Sequence, residues 1–274
     1  MLTEGGNVFK DEAGAEGTRR INQADVPTTI QWLEQITGLD FSEDKDENEV
    51  PTKWLGTTGR KSSSGDLDLS VDDKSITKEV LADVLTRWCV SQGIPQEQVR
   101  NRAKTKTTAA YSQGWVAMSG DSVHFKAPIN GNVGNGFVQV DFMFGDPKWQ
   151  AFAMKGGREG SQYVGMSRHI ILASIVTAID PNLKWSYKNG IVDRTTNQTI
   201  EGGKDPRVLS KLTGIPIGKL NAADDIIDAV SKRPDYQKLI AAARDTLAHS
   251  NIQLPESAPM PGTAAWFRSL GHRI

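Results

Sequence analysis

The chain predicts an α+β fold, and three observations predict it. Apolar and polar residues alternate, as in a half-buried strand, around Leu67–Val71, and several strand-like runs follow from about Val99 to Phe144. Apolar residues at helical spacing occur before the first strand and again directly after it. Beyond Pro147 the pattern becomes mainly helical, and no internal repeat interrupts this order.

The elements follow in sequence. In VPTTIQWLEQITGLDF, Ile30, Leu33, Ile36 and Leu39 share one helical face, with Pro27 near the start and Gly38 near the end. From Lys53 a loop of small residues, LGTTGRKSSSG, runs into DLDLSVD, where Leu67, Leu69 and Val71 point to one side and Asp66, Asp68 and Ser70 to the other. ITKEVLADVLTRWCVSQG carries a helical stripe of Val80, Leu81, Val84, Leu85 and Trp88, and Gly93 suits its C-terminal cap. Four strands are predicted next, in VRNRAKTKTTAAY, GWVAMSG, SVHFKAP and GFVQVDFMFG, the later ones separated by turn-rich GDS and INGNVGNG. SRHIILASIVTAI, LNAADDIIDAVSK and YQKLIAAARDTLAHS read as helices, with a hairpin or irregular crossover in WSYKNGIVDRTTNQTIEGG. The tail after Leu254 keeps Trp266, Phe267 and Leu270, which predict partial docking.

Composition excludes several classes. A chain of 274 residues with one cysteine can form neither an internal disulfide nor a thiolate zinc cluster, which points to a reducing, cytoplasmic setting. His124, His169, His249 and His272 lack metal-ligand spacing, and no apolar run approaches the roughly 18–20 residues that span a bilayer. The formal net charge is −1, but it is unevenly spread. Residues 1–50 hold 12 acids and 4 bases, a net of −8, whereas the remaining residues hold 21 acids and 28 bases, a net of +7. The near-neutral total therefore does not exclude a polyanionic partner. It suggests instead that the acidic segment lies near a basic face and competes with such a partner, so that its removal would tighten binding.

The sharpest chemical signal is the run from Gly56 to Asp68. Two aspartates at i and i+2 of a strand point to the same face, about 6–7 Å apart along the chain. A hard divalent cation takes oxygen ligands, and Mg²⁺ or Mn²⁺ commonly binds one or two carboxylates together with substrate phosphates. Upstream, Gly56, Thr57, Thr58 and Gly59 permit close backbone approach to phosphate oxygens, with Arg60 and Lys61 adding positive charge. A third carboxylate, Asp141, lies in the otherwise apolar strand FVQVDFMFG, where its charge requires a partner or a metal.

These residues together resemble the nucleotidyltransferase superfamily of DNA polymerase beta. Its pattern is a hydrophobic residue, Gly, then Gly or Ser, a spacer of about ten residues, a D-h-D or D-h-E pair, and a later carboxylate on another strand. Leu55, Gly56 and Thr57 match its opening, with the hydroxyl kept, and Asp66, Asp68 and Asp141 match the three carboxylates. Ser64-Gly65-Asp66-Leu67-Asp68 is closest to the polymerase X branch, in which a basic residue four positions after the glycine, here Arg60, contacts the triphosphate.

The resemblance implies a mixed or antiparallel sheet with flanking helices, plus a helical C-terminal part. It implies three regions: an acidic segment over residues 1–50 with one helix packed on the core, a catalytic palm-like domain over 51–147, and a thumb-like helical part over 148–274. It also implies transfer of a nucleotide from a nucleoside triphosphate to an acceptor hydroxyl, using two Mg²⁺ or Mn²⁺ ions. Asp66, Asp68 and Asp141 would be the metal-binding and catalytic residues, and Gly56, Thr57, Arg60, Lys61 and Gly65 would bind the nucleotide.

The acceptor implied first is a nucleic-acid 3′ end. A protein or small-molecule hydroxyl, and a non-catalytic binding module, remain open. Arg100, Arg102, Lys104 and Lys106 alternate and would form a cationic ladder on a strand, suited to a phosphate backbone or to plain solvation. Lys155 and Arg158 could reach a phosphate, Trp185 and Tyr187 could stack on a base or fill the core, and Cys89 is expected to be inert. Arg168 stands where the resemblance weakens and receives no catalytic role.

Overall fold

In the computed structural model, residues 8–9, 17–101, 114–155 and 165–249 are described. The chain divides into two compact units, Gly5–Ala151 and a helical one built from Phe152–Ile274 with Met1–Glu4. The described residues of the first fifty lie in the unit that carries the sheet.

In that unit, β1 (Ile21–Asn22) leads into α1 (Val26–Thr37), whose C-terminal cap is Gly38 in the left-handed conformation. β2 (Trp54–Leu55), β3 (Ser63–Ser64) and β4 (Asp66–Asp72) follow, then α2 (Lys78–Ser91), the single turn α3 (Gln96–Val99) and β5 (Arg100–Asn101). β6 (Val116–Ser119), β7 (Ser122–Pro128) and β8 (Phe137–Gly145) complete the strands. Six of these form one mixed sheet in the order β2-β4-β8-β7-β6-β5, while β1 and β3 pair separately. The β4–β8 pair at its centre is parallel, and β8 pairs antiparallel with β7.

One sheet face is apolar because every second residue is. Leu67, Leu69, Val123, Phe125, Val138, Val140 and Phe142 are buried there with Ile30 and Leu33 of α1 and Leu81 and Leu85 of α2. Each such side chain contributes about 1.5–3 kcal/mol by leaving water. Trp32, Trp88 and Phe125 join α1, α2 and β7 through ring contacts 5.1–6.3 Å apart.

The α2 stripe is rotated from the sequence expectation. Leu81, Ala82, Leu85 and Cys89 are buried, whereas Val80 is 49% exposed. A stripe advancing by i, i+4 carries the buried face through Cys89 and leaves Val80 on the outer flank. Removal of residues 1–50 would not merely expose a basic face, since Ile21, Val26, Ile30, Leu33 and Phe41 are part of the core.

The second unit centres on α5 (Gly165–Ile179), which follows α4 (Pro147–Ala153), the helix containing the division. β9 (Leu183–Ser186) and β10 (Gly190–Asp193) form an antiparallel hairpin, resolving the hairpin-or-crossover alternative. α6 (Pro206–Thr213), α7 (Ala223–Ser231) and α8 (Tyr236–His249) follow. Ile171, Leu172, Ile175 and Val176 of α5 are buried among Trp185, Ile191, Ile226 and Leu239. Helix α6 was not expected, although Asp205 caps its N-terminus, Pro206 opens it and Gly214 closes it in the left-handed region. Its eight residues bury only Leu209 and Thr213, too few for a recognisable periodic stripe. Among the described residues, no helix is long and apolar enough to cross a membrane.

Candidate metal centre

The opposite face of the sheet is polar, and strand register sets its rows. Asp68 pairs with Asp141 across the parallel β4–β8 ladder, and Asp141 pairs with His124 of β7. In the adjacent row Asp66 pairs with Gln139, and Gln139 with Lys126. Residues directly opposite one another share a face, so the three aspartates expected from the sequence are neighbours. One carboxylate oxygen from each of Asp66, Asp68 and Asp141 lies within 4.8 Å of the other two, and all three residues are half-buried. Three acceptor-only groups so close repel one another unless a cation or hydrogen-bond donors intervene. The spacing and the all-oxygen donor set fit a hard divalent ion.

The turn between β2 and β4 abuts this cluster. Gly56 has φ of 57°, and a Cβ there would stand 2.6 Å from Asp68 Oδ2. Only glycine tolerates both the backbone conformation and the approach. The fully buried Thr58 accepts the backbone N–H of Asp68 at 2.9 Å through its hydroxyl, tying the turn to the strand. Thr57 directs its hydroxyl to Ser64 Oγ at 3.2 Å.

The expected nucleotide-binding residues divide here. Gly56 lies against Asp68, Thr57 follows it in the chain and Gly65 immediately precedes Asp66, while half-buried Lys61 lies on the same turn. The Arg60 guanidinium pairs with Asp46 at 2.7 Å, with 12% and 9% side-chain exposure. Burial opposes the charge on Asp46, but hydrogen bonds from Asn48 and Arg60, together with the Arg60 charge, outweigh it and hold the carboxyl below its ordinary value. The acidic run thus supplies a structural ion pair.

Sequence reasoning missed the residues that other segments bring in. Exposed Arg20, just before β1, donates to the Ser63 carbonyl at 3.0 Å and to its hydroxyl at 3.2 Å. Its Nη1 lies 3.5 Å from where a Cβ on Gly65 would stand. Gln139 donates to both oxygens of Asp141, at 3.0 and 3.1 Å, and accepts the Val8 backbone N–H at 2.8 Å. His124 Nδ1 is 2.7 Å from Asp141 Oδ1, and its Nε2 is 2.7 Å from Ser119 Oγ. Lys126 places its ammonium about 5 Å from the ring centres of Trp115 and Phe137, and burial lowers its pKa. No local motif announces these partners, because antiparallel pairing and the N-terminal crossing assemble them.

Other expected residues lie elsewhere. Arg100 pairs with Asp83 at 2.5 Å, and Arg102, Lys104, Lys106, Arg158 and the tail are outside the described residues. Trp185 is buried and Tyr187 is 45% exposed, so the two do not form a common stacking surface. Cys89 is buried, and desolvation pushes its thiol up to about 12, away from the reactive thiolate. Arg168 is buried and donates to the Leu220 and Ala153 carbonyls at 2.7 and 2.8 Å, while burial lowers its pKa to about 10. Burial, reinforced by Arg168, takes the neighbouring His169 down to about 3 and keeps it neutral.

No protein-family profile, curated protein or solved structure matches the chain.

Proposed function

We propose that this protein is a divalent-metal-dependent nucleotidyltransferase that moves a nucleoside monophosphate from a nucleoside triphosphate to an acceptor hydroxyl. The observation that carries the reading is the convergence of Asp66, Asp68 and Asp141 within 4.8 Å beside a glycine turn. A lone acidic cluster would be ambiguous. A cluster flanked by a tight turn, with Arg20 and Lys61 near that turn, provides for both a cation and a polyphosphate.

Asp66, Asp68 and Asp141 would hold Mg²⁺ or Mn²⁺. Such ions supply charge that activates the attacking hydroxyl and neutralises the phosphates. The chain's own residues do the positioning. Backbone groups around Gly56 and Thr57 bind the β- and γ-phosphates, and Gly65 leaves room for them. Arg20, with Lys61, offsets the charge of the leaving group, a role Arg60 yields because it is committed to Asp46. Asp141 orients the acceptor hydroxyl. The acceptor oxygen bonds to the α-phosphorus, the bond from that phosphorus to the β-bridging oxygen breaks, and pyrophosphate leaves with the electron pair. The hydroxyl proton passes to solvent.

The excess positive charge beyond residue 50 favours a nucleic-acid 3′ end as acceptor. The test is incubation with Mg²⁺ or Mn²⁺ and each α-labelled nucleoside triphosphate, with a primer–template, a DNA or RNA single strand, or the protein alone. Label on a nucleic-acid end is expected. Label on the protein reassigns the acceptor, and label on nothing refutes the activity.

A further inference from the structure

We propose that His124, backed by Ser119, is a positioning residue for Asp141 and sets the rotamer in which that carboxylate joins Asp66 and Asp68. The inference rests on the metal reading above and deepens it: it identifies what preorganises the third ligand.

The argument starts from hydrogen-bond capacity. An ionised carboxylate only accepts, so the 2.7 Å contact from His124 Nδ1 to Asp141 Oδ1 requires the proton on Nδ1. The second ring nitrogen, Nε2, lies 2.7 Å from the Ser119 hydroxyl, which can donate or accept and so partners the ring on its far side. His124 is only 8% exposed, so water is a poor substitute for either partner. Ser119 therefore holds the plane of the ring, and the ring's Nδ1–H holds the orientation of Asp141.

The chain Ser119–His124–Asp141 crosses three adjacent strands, β6, β7 and β8, whose register places His124 beside Asp141. Gln139 steadies the same carboxylate along its own strand. The Nδ1–H donor holds the Asp141 carboxylate and prevents it from swinging away from its two like-charged neighbours. Outer-shell groups of this kind on metal ligands are worth about 10–100-fold in metal affinity.

The test is Mn²⁺ binding to the full chain, read from the free-ion electron paramagnetic resonance signal, with thermal melting to check folding. His124→Leu and His124→Gln should weaken Mn²⁺ binding roughly 10–100-fold. His124→Asn, whose amide nitrogen stands where Nδ1 stands, should keep affinity near wild type. Ser119→Ala should weaken binding in the wild-type background and have no further effect on His124→Asn, since Ser119 acts only through the ring. Should His124→Leu fail to fold, the Asn–Gln contrast carries the test. Equal affinities for those two variants overturn the positioning role even if the wild type binds Mn²⁺. A wild type that binds no Mn²⁺ overturns the metal reading and this inference with it.

Discussion

Asp68 and Asp141 face each other across one pair of parallel strands, yet they are held by opposite means. Asp68 is fixed by its own neighbourhood: the Gly56 backbone lies against its carboxylate, and Thr58, ten residues upstream, accepts its N–H. Asp141 is fixed by side chains from a distance: His124 is 17 residues away, with Ser119 behind it. The first arrangement is a loop folded onto the strand it precedes. The second exists only once β6, β7 and β8 have paired. A perturbation of the turn should therefore reach Asp68 through backbone strain, whereas a perturbation near Asp141 should act through side-chain orientation with the backbone intact.

The largest expected effect comes from removing a ligand. Asp68→Asn keeps the shape but removes the negative charge, and transfer should be abolished while the thermal melt stays cooperative. Turnover at the wild-type rate would remove Asp68 from the chemistry. Gly56→Ala should follow. Its Cβ cannot coexist with Asp68 Oδ2 at 2.6 Å, and the left-handed backbone is itself unfavourable for alanine. We expect a stability loss of about 1–3 kcal/mol in urea unfolding, together with weakened Mn²⁺ binding. A variant as stable as wild type would break the claim that backbone packing holds Asp68.

Arg60→Met tests the outer brace of the turn. It leaves the Asp46 carboxylate with its backbone donors but without its cation, and should cost about 1–3 kcal/mol at neutral pH. The folded-state pKa of Asp46 is depressed, so its stabilisation is present above the unfolded carboxyl value and is lost as pH falls through the folded one. The stability gap between wild type and Arg60→Met should accordingly narrow on acidification below about pH 4. A gap independent of pH would show that the ion pair contributes nothing.

Arg20→Met should change stability least. Arg20 is exposed and donates to the Ser63 backbone and hydroxyl, so its loss should raise the KM for nucleoside triphosphate several-fold with little change in melting temperature. An unchanged KM would remove Arg20 from the role and leave Lys61 to carry that charge alone.

How far the molecule was legible follows the same division. Asp66 and Asp68 could be read because alternation on a single strand places both on one face, and Asp141 because a charge in an apolar strand demands a reason. The turn was legible because Gly56 and Asp68 are close in sequence. The Arg60 partner was not legible, because Asp46 lies in an acidic run that reads as solvated. Ser119, His124 and Gln139 were invisible for a physical reason. Ser119 and His124 are ordinary polar residues of other strands, and only register makes them neighbours of Asp141, whereas Gln139 shares its strand and face and lacked only a signal of its role. Arg20 reaches Gly65 because β1 pairs with β3, two strands of two residues each, too short to leave a periodic signal.

The most direct test of the central claim is a double-label balance with α-labelled and γ-labelled nucleoside triphosphate, an acceptor strand and Mg²⁺. The account predicts that the α-label moves to the acceptor while the γ-label leaves as pyrophosphate, in equal amounts, and that chelating the metal stops both. Release of the γ-label as inorganic phosphate, or equal transfer by Asp68→Asn, would contradict it.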